Sequence, residues 1–212
     1  LIDRFLSQGL SVAALHFMGY GQHKLDYVDH PSFGGVHMDQ DRVLLLERDP
    51  MRYYVEPVVV TLNHLRDRHG ILQADMLGFS AGGWVTTIAA ALDDRIRYSY
   101  SVAGLYPLYL RRDLVATAEA PLSHLYPGLL LASNYLDMFV VAGAGEGRRY
   151  VQIFNRYDRC CYRNRLGKLY EAPVQTALEA TGPGNFEVRI DETHADHKIS
   201  EHTLRGILAD LK

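Results

Sequence analysis

Residues 74–84 constrain the fold of this chain more than any other stretch, because a strand pattern runs into a helix pattern there. The run at 74–79 predicts a short buried strand, and the small and apolar residues at 81–92 predict a helix. Between them, residues 78–82 read Gly-Phe-Ser-Ala-Gly. A tight strand-to-helix turn favours glycine two positions before and after the serine, because side chains there would collide with the strand and the helix. We therefore expect Ser80 at the tip of such a turn.

Strand and helix patterns alternate along the rest of the chain. Asp49 and Pro50 are expected to start one of the helices, in which Pro57 requires an irregular first turn or a new helix start. The alternation predicts one α/β domain at 1–212, a mostly parallel sheet with helices on both faces. Further strands are predicted at 11–18, 97–103, 150–154 and 186–190. Further helices are predicted at 1–8, 49–69, 136–144, 169–180 and 201–211, the last capped by Ser200.

Two segments lack a regular pattern. Residues 105–135 are rich in Leu, Tyr and Pro, and we interpret them as a small lid-like insertion over the strand ends. Residues 22–42 are polar and predict a loop. That loop contains side chains that could bind a metal, but their spacing matches no standard zinc pattern, so a solvated or substrate-gating loop is favoured. The side chains are His23, Asp26, His30, His37, Asp39 and Asp41.

The strand, turn and helix around Ser80 resemble the nucleophile elbow of the α/β-hydrolase superfamily. The resemblance covers nearly the whole chain, from Ser11 to Leu211. It implies a serine nucleophile, followed in chain order by an acid and a histidine, each after a strand. Asp158 follows the strand at 150–154 and is the best candidate acid; Asp94 and Asp137 fit less well because each lies in or beside a predicted helix.

Two histidines lie between the last predicted strand and the last predicted helix, where the resemblance places the general base. His197 comes just before the capped helix and is favoured, while His194 is the alternative base. The backbone N–H of Ala81 would supply one donor of the oxyanion hole. The loop that usually supplies the second donor would precede residue 1, so we expect a truncated or processed chain. A missing N-terminal segment or a second chain would then complete the fold.

Composition and charge narrow the range of partners. The net charge is -3 with 22% charged residues, which gives no reason to expect nucleic acid or an anionic membrane surface as a partner. No apolar run reaches the length of a membrane span. Cys160 and Cys161 are adjacent and predict two free, buried thiols packed beneath the acid loop, because a bond between neighbours is strained. Free thiols slightly favour a reducing compartment such as the cytoplasm.

These features predict a serine hydrolase that acts on small-molecule carboxylic esters through an acyl-enzyme intermediate. No cofactor and no metal is expected. The same three groups would also serve acyl transfer to an alcohol or thiol, or peptide cleavage, because water exclusion and pocket shape select the acceptor. A non-catalytic binding protein on the same fold is the alternative from another class.

Overall fold

The computed structural model of this protein describes residues 1–24, 27–37, 42, 49–111 and 121–212. Strands and helices alternate from residue 74 onwards, as the sequence predicts. The described strands are β1 (Tyr27–His30), β2 (Gly34–His37), β3 (Ala74–Phe79), β4 (Ile96–Val102), β5 (Arg149–Asn155) and β6 (Asn185–Asp191). The described α-helices are α1 (Ile2–Leu6), α2 (Arg52–His69), α3 (Ala81–Leu92), α4 (Pro127–Ala132), α5 (Tyr135–Gly143), α6 (Lys168–Thr181) and α7 (Glu201–Asp210).

The main sheet has the order β3-β4-β5-β6, and all neighbouring strands are parallel. A helix connects each strand to the next, which parallel pairing requires because the chain must return to the opposite end of the sheet. All four strands therefore end at one edge, and the loops that follow them meet there. Ligand sites in sheets of this kind lie at that edge.

Helices cover both faces of the sheet, as predicted. Along β5, Tyr150 and Phe154 point into a core formed with α2, α3, α5 and α6, while Val151 and Ile153 point to the opposite face. On that second face, Ile207 of α7 is fully buried against the strands. Successive side chains of a strand alternate between faces, so two apolar faces give a continuous apolar run. The run at 150–154 has this property except at Gln152, a buried amide whose oxygen accepts a hydrogen bond from the Tyr170 hydroxyl at 2.6 Å.

The prediction of a buried parallel strand at 11–18 is wrong. Residues 11–17 form no regular secondary structure, and the side chains of Val12 and Leu15 are 38% and 45% exposed. None of the strands in the described part of the chain pairs with this segment. A parallel strand depends on hydrogen bonds to its neighbours, so an apolar run without an adjacent strand does not become one.

The prediction of a loop over 22–42 is also wrong in part. Tyr27–His30 and Gly34–His37 pair as an antiparallel hairpin, with His30 opposite Gly34 in the register. Gly34 has a φ of 67°, in the left-handed region that lets the chain turn back. The strands have only four residues each and mix apolar, polar and glycine residues, so neither shows the apolar alternation that identifies a strand in sequence.

Helix α2 begins later than predicted and continues through its proline. Met51 rather than Asp49 is the N-cap residue, and Pro57 lies inside one uninterrupted helix. A proline there removes one backbone hydrogen bond. The helix tolerates this loss because its buried face, which includes Val55, Val58 and Leu62, packs on the core. Gly70, with a φ of 66°, ends the helix as predicted.

The described part of the segment 105–135 packs against α3. The Trp84 ring stacks on His124 at a centroid distance of 4.6 Å, and its Nε1–H donates to the Tyr135 hydroxyl at 3.0 Å. Burial lowers the pKa of the His124 imidazole well below its usual range, so this ring is neutral. The lid-like role of this segment stays a prediction, and residues 112–120 lie outside the described ranges.

Within the part of the chain that the structure describes, no single helix is long and apolar enough to cross a membrane. Residues 122–132 and helix α5 reach the required length and apolarity only when taken together, and they are bent by 75° relative to each other.

Candidate active site

Ser80 lies at the turn between β3 and α3, at the edge of the sheet where the strands end. Its backbone has φ 54° and ψ -123°, a conformation that a residue with a side chain rarely adopts. Its N–H donates to the Val102 carbonyl at 2.8 Å, and its own carbonyl accepts from Gly83 N–H at 2.9 Å. These bonds hold the turn in its strained conformation. Strain of this kind is maintained where the surrounding structure fixes it, often at functional sites.

The glycines around Ser80 differ in their importance. A Cβ atom added to Gly78 would lie 2.0 Å from the Gly82 carbonyl oxygen, so no side chain fits at Gly78. At Gly82 the added Cβ meets no described atom within 4 Å, which contradicts the expected collision after the serine. The close approach lies one residue later, where a Cβ on Gly83 would be 2.9 Å from the Gly104 Cα. Helix α3 therefore approaches β4 closely through two glycines that the sequence pattern did not single out.

His197 lies in the loop between β6 and α7 and contacts Ser80 directly. Its Nε2 is 3.0 Å from the Ser80 Oγ, and its Nδ1 is 2.8 Å from an Asp158 carboxylate oxygen, Oδ2. A carboxylate only accepts hydrogen bonds, so Nδ1 carries the hydrogen and Nε2 is left to accept the serine proton. The imidazole ring packs on Phe79 at a centroid distance of 4.6 Å. This contact limits rotation of the ring away from the serine.

Asp158 follows β5, as the sequence predicts, and is 1% exposed. Its Oδ1 accepts the backbone N–H groups of Cys160 and Cys161 at 2.8 and 3.1 Å. Its second oxygen faces His197, so both oxygens have partners. A buried carboxylate needs such hydrogen bonds. Burying even a neutral polar group without a partner costs about 2–7 kcal/mol, and burying an unpaired charge costs more. The turn thus fixes the carboxylate in one orientation towards the histidine.

His194, the alternative base, has other partners. Its Nδ1 accepts from the Asn155 side-chain amide at 3.0 Å, and its Nε2 is 3.5 Å from Asp191. Asn155 also donates to the Asp196 carbonyl at 3.0 Å. His194 therefore connects the ends of β5 and β6. The structure brings Ser80, His197 and Asp158 together. His194 lies beside them and links the end of β5, just before Asp158, to the loop between β6 and α7 that contains His197.

Asp191 and Asn155 are site-supporting residues that the sequence analysis missed. Asp191 is 3% exposed and accepts hydrogen bonds from Thr193 at one end of the histidine loop and from Ser200 and Thr203 at the other. These partners are up to 12 residues away, so no local pattern reveals the network. Burial by itself raises the pKa of the Asp191 carboxyl, but the hydrogen bonds outweigh it and hold the pKa well below its usual range.

Replacing Asp191 with asparagine is expected to lower the free energy of unfolding at pH 7 by about 2–3 kcal/mol, because hydrogen bonds to a charged acceptor are lost. A carboxyl with a lowered folded-state pKa stabilises the protein above its unfolded pKa, about 3.9, and that stabilisation is lost as the pH falls below it. The difference between variant and parent should therefore shrink below about pH 4. Urea unfolding at several pH values measures this; a constant difference would contradict the role of the charge.

The prediction of two free, buried thiols is wrong. The Sγ atoms of Cys160 and Cys161 are bonded to each other, and no free cysteine is found. Cys160 is exposed, and Cys161 is 9% exposed. Both follow Asp158 in a tight turn whose N–H groups converge on the Asp158 carboxylate. That turn brings the two side chains together, which residue types alone did not reveal.

The candidate metal ligands of the 22–42 segment do not form a cluster in the described residues. His30 and His37 lie on the hairpin, opposite Gly34 and Tyr27 in the register. Asp26, Asp39 and Asp41 lie outside the described residues. The interpretation of this segment as a gating element stays a prediction.

Solved structures of other proteins have a similar fold at low sequence identity. The structure of the DcsB complex with its substrate analogue gives a TM-score of 0.58 at 12% identity, covering 99% of this chain and 81% of that chain. An acetyl xylan esterase from Paenibacillus sp. R4 gives 0.51 at 14% identity, covering 76% and 52%. An acylaminoacyl peptidase in complex with Z-Gly-Gly-Phe-chloromethyl ketone gives 0.51 at 16% identity, covering 75% and 25%.

These similarities, together with the parallel sheet and its flanking helices, show that the chain has the α/β-hydrolase fold. The chain spans about half the length of the esterase and a quarter of the peptidase. No family model matches the sequence, and no curated protein matches it. The resemblance in fold leaves the chemistry of the site to be argued from its residues.

Proposed function

We propose that this protein is a serine hydrolase that cleaves carboxylic esters, with Ser80 as nucleophile, His197 as general base and Asp158 as the residue that orients the histidine. The chain of hydrogen bonds from Ser80 through His197 to the buried Asp158 carries this proposal. A serine hydroxyl is a weak nucleophile until a base accepts its proton, and distances of 3.0 and 2.8 Å allow that transfer.

The reaction proceeds in two steps. Ser80 Oγ attacks the ester carbonyl carbon while its proton passes to His197 Nε2, and the collapsing intermediate expels the alcohol, which takes that proton. Water then attacks the acyl-enzyme with the same base and releases the acid. Asp158 accepts from Nδ1–H throughout, which favours the tautomer with a free Nε2 and stabilises the imidazolium that forms.

Ala81 is proposed to stabilise the tetrahedral intermediate. It is the first residue of α3, and the N–H groups of the first helical turn have no acceptor within the helix. The Ala81 N–H adjoins the nucleophile, and the positive end of the helix dipole lies at the same place, so an oxyanion formed at Ser80 is favoured there. Loss of one such donor typically lowers kcat by about 100-fold to 1,000-fold.

The experiment that tests the proposal is labelling of the purified protein with a fluorophosphonate probe, compared with the Ser80→Ala variant. The probe reacts with activated serines, so we expect labelling of the parent and none of the variant. Ser7→Ala, on the exposed end of α1, serves as the matched control and should label fully. Absence of labelling in the folded parent would overturn the proposal and favour the non-catalytic binding protein.

The choice of an ester rather than a peptide as the substrate rests on fewer observations than the roles of the three residues. The similar structures include an esterase and a peptidase, and the same three groups serve both reactions. The apolar, Leu- and Tyr-rich segment at 105–135 favours an apolar acyl or alcohol group if it covers the site. Hydrolysis rates for p-nitrophenyl esters of increasing acyl length, measured beside aminoacyl p-nitroanilides, test this choice. Cleavage of the anilides alone would identify a peptidase.

A further inference from the structure

The pair of adjacent cysteines lies beside the proposed general base. One ligand atom each from Cys160, Cys161 and His197 lies within 4.8 Å of the others. Cys160 is exposed and the His197 side chain is 22% exposed, so solvent and small ions reach the cluster. Thiolates and imidazoles are the ligands that zinc and its heavier congeners prefer. The proposed catalytic mechanism does not use either sulfur atom.

We propose that Cys160, Cys161 and His197 form a site for a soft divalent cation, such as Zn²⁺ or Cd²⁺, once the bond between the cysteines is reduced. Ligand atoms around tetrahedral zinc lie about 3.5–3.8 Å apart, given Zn–S and Zn–N distances of about 2.3 and 2.0 Å. The two Sγ atoms are bonded to each other here, so after reduction they move apart to this spacing by rotation about their Cα–Cβ bonds, and the His197 nitrogen already lies within 4.8 Å of both. Water supplies the fourth ligand.

The cation can bind only when Cys160 and Cys161 are reduced, because the disulfide-bonded form has no thiolate. In the bonded state each sulfur shares its electrons with the other, and no thiolate is available. A trialkylphosphine breaks the S–S bond, takes the oxygen of one water to become a phosphine oxide, and leaves one hydrogen on each sulfur. Binding of the cation then releases one proton from each thiol, because thiolates are the ligands.

Binding of a cation at this site and operation of the hydrolytic machinery exclude each other. His197 has two ring nitrogens, and Nδ1 bonds Asp158 while Nε2 bonds Ser80. Whichever nitrogen coordinates the cation loses its hydrogen bond, so either the orientation of the base or its access to the serine is lost. The cation is therefore expected to inhibit the enzyme. This consequence rests on the proposed function, whereas the site itself rests on the three side chains.

The binding test uses the phosphine-reduced protein, freed of reductant, and titrates it with Cd²⁺. Thiolate-to-metal charge-transfer absorption should appear and saturate at one Cd²⁺ per chain, and the untreated protein should show none. Cys160→Ser should weaken Cd²⁺ binding by about 100-fold or more. Loss of a residue that only orients a ligand already weakens metal binding by up to about 100-fold, and Cys160 is a ligand itself. His197→Ala should weaken it by at least about tenfold, and His202→Ala, an exposed histidine on α7, should not.

The outcomes separate the cation site from the hydrolase. Absence of the absorption in the reduced protein, or unchanged Cd²⁺ affinity in His197→Ala, overturns the proposed site. In the reduced parent, Cd²⁺ should block fluorophosphonate labelling of Ser80 and a chelator should restore it, while Cys160→Ser labels in both conditions. If Cd²⁺ binds normally but the probe labels neither the parent nor any variant, the hydrolase proposal is rejected and the cation site stands. Labelling that Cd²⁺ leaves intact in the reduced parent overturns the claim that His197 is a ligand.

Discussion

Replacing His197 with alanine is expected to lower kcat for ester hydrolysis by about 10⁴-fold to 10⁶-fold, the range typical for loss of the base of such a system. The reason is geometric: its Nε2 is the nitrogen at 3.0 Å from the Ser80 Oγ, and its Nδ1 is held by Asp158. KM should change little, because the interaction with the proton is made in the transition state. Steady-state kinetics with a p-nitrophenyl ester measures both parameters.

The His194→Ala variant provides the matched comparison, because both histidines lie in the same loop. His194 connects Asn155 to Asp191, so its removal should loosen the loop and lower kcat by about 10-fold to 100-fold, as small displacements of reacting groups do. It should also lower the midpoint of thermal unfolding, whereas His197→Ala should not. If the two variants lost the same activity, the assignment of His197 as the base would be wrong. Circular dichroism verifies that both fold.

Replacing Gly78 with alanine is expected to have the largest effect on stability, with a loss of more than about 4 kcal/mol in the free energy of unfolding or no folding at all. The added Cβ would lie 2.0 Å from the Gly82 carbonyl oxygen and 2.3 Å from the Thr86 hydroxyl oxygen. Contacts under 3 Å with backbone cannot be relieved by rotating a side chain, so β3 and α3 would have to separate. Urea unfolding followed by circular dichroism measures the loss.

Gly82→Ala is the control for this prediction. Both positions belong to the same five-residue pattern, but a Cβ at Gly82 meets no described atom within 4 Å, and the residue is helical. Its replacement by alanine should change the free energy of unfolding by about 1 kcal/mol or less. A loss at Gly82 equal to that at Gly78 would restore the sequence-based expectation of collisions on both sides of the serine and contradict the geometry.

Much of the fold from residue 74 onwards could be predicted from sequence. Strands β3 to β6 and helices α3 and α5 to α7 lie within one residue of their predicted positions, because apolar runs and clear breaks mark them. The segment at 11–18 has the same apolar character but is not a strand. Its hydrogen-bonding partner, rather than its own residue types, decides whether a run of this length is a strand. The hairpin at 27–37 was missed for the opposite reason. Its two strands pair with each other, but they are too short to show an apolar alternation in the sequence.

The type and the chain order of the proposed site residues follow from local sequence patterns. Ser80 is placed by a local glycine pattern, and Asp158 by its position after a strand. Position favoured His197 and kept His194 as the alternative, because both follow β6 and precede α7. Only the tertiary structure separates them, by bringing the Asp158 carboxylate to the Nδ1 of His197 and Asn155 to the Nδ1 of His194. Contacts between residues 39 positions apart depend on the packing of whole strands.

The state of Cys160 and Cys161 likewise depends on contacts that form only in the folded chain. The sequence shows two adjacent cysteines, and the strain expected of a bond between neighbours argues for free thiols. In the folded chain, the carboxylate of Asp158 draws both of their N–H groups into one turn, and the sulfur atoms meet beside His197. Local patterns encode helices, strands and tight turns because those depend on near neighbours. The surroundings of a reactive group depend on residues that are distant in sequence, so they emerge only when the sheet is assembled.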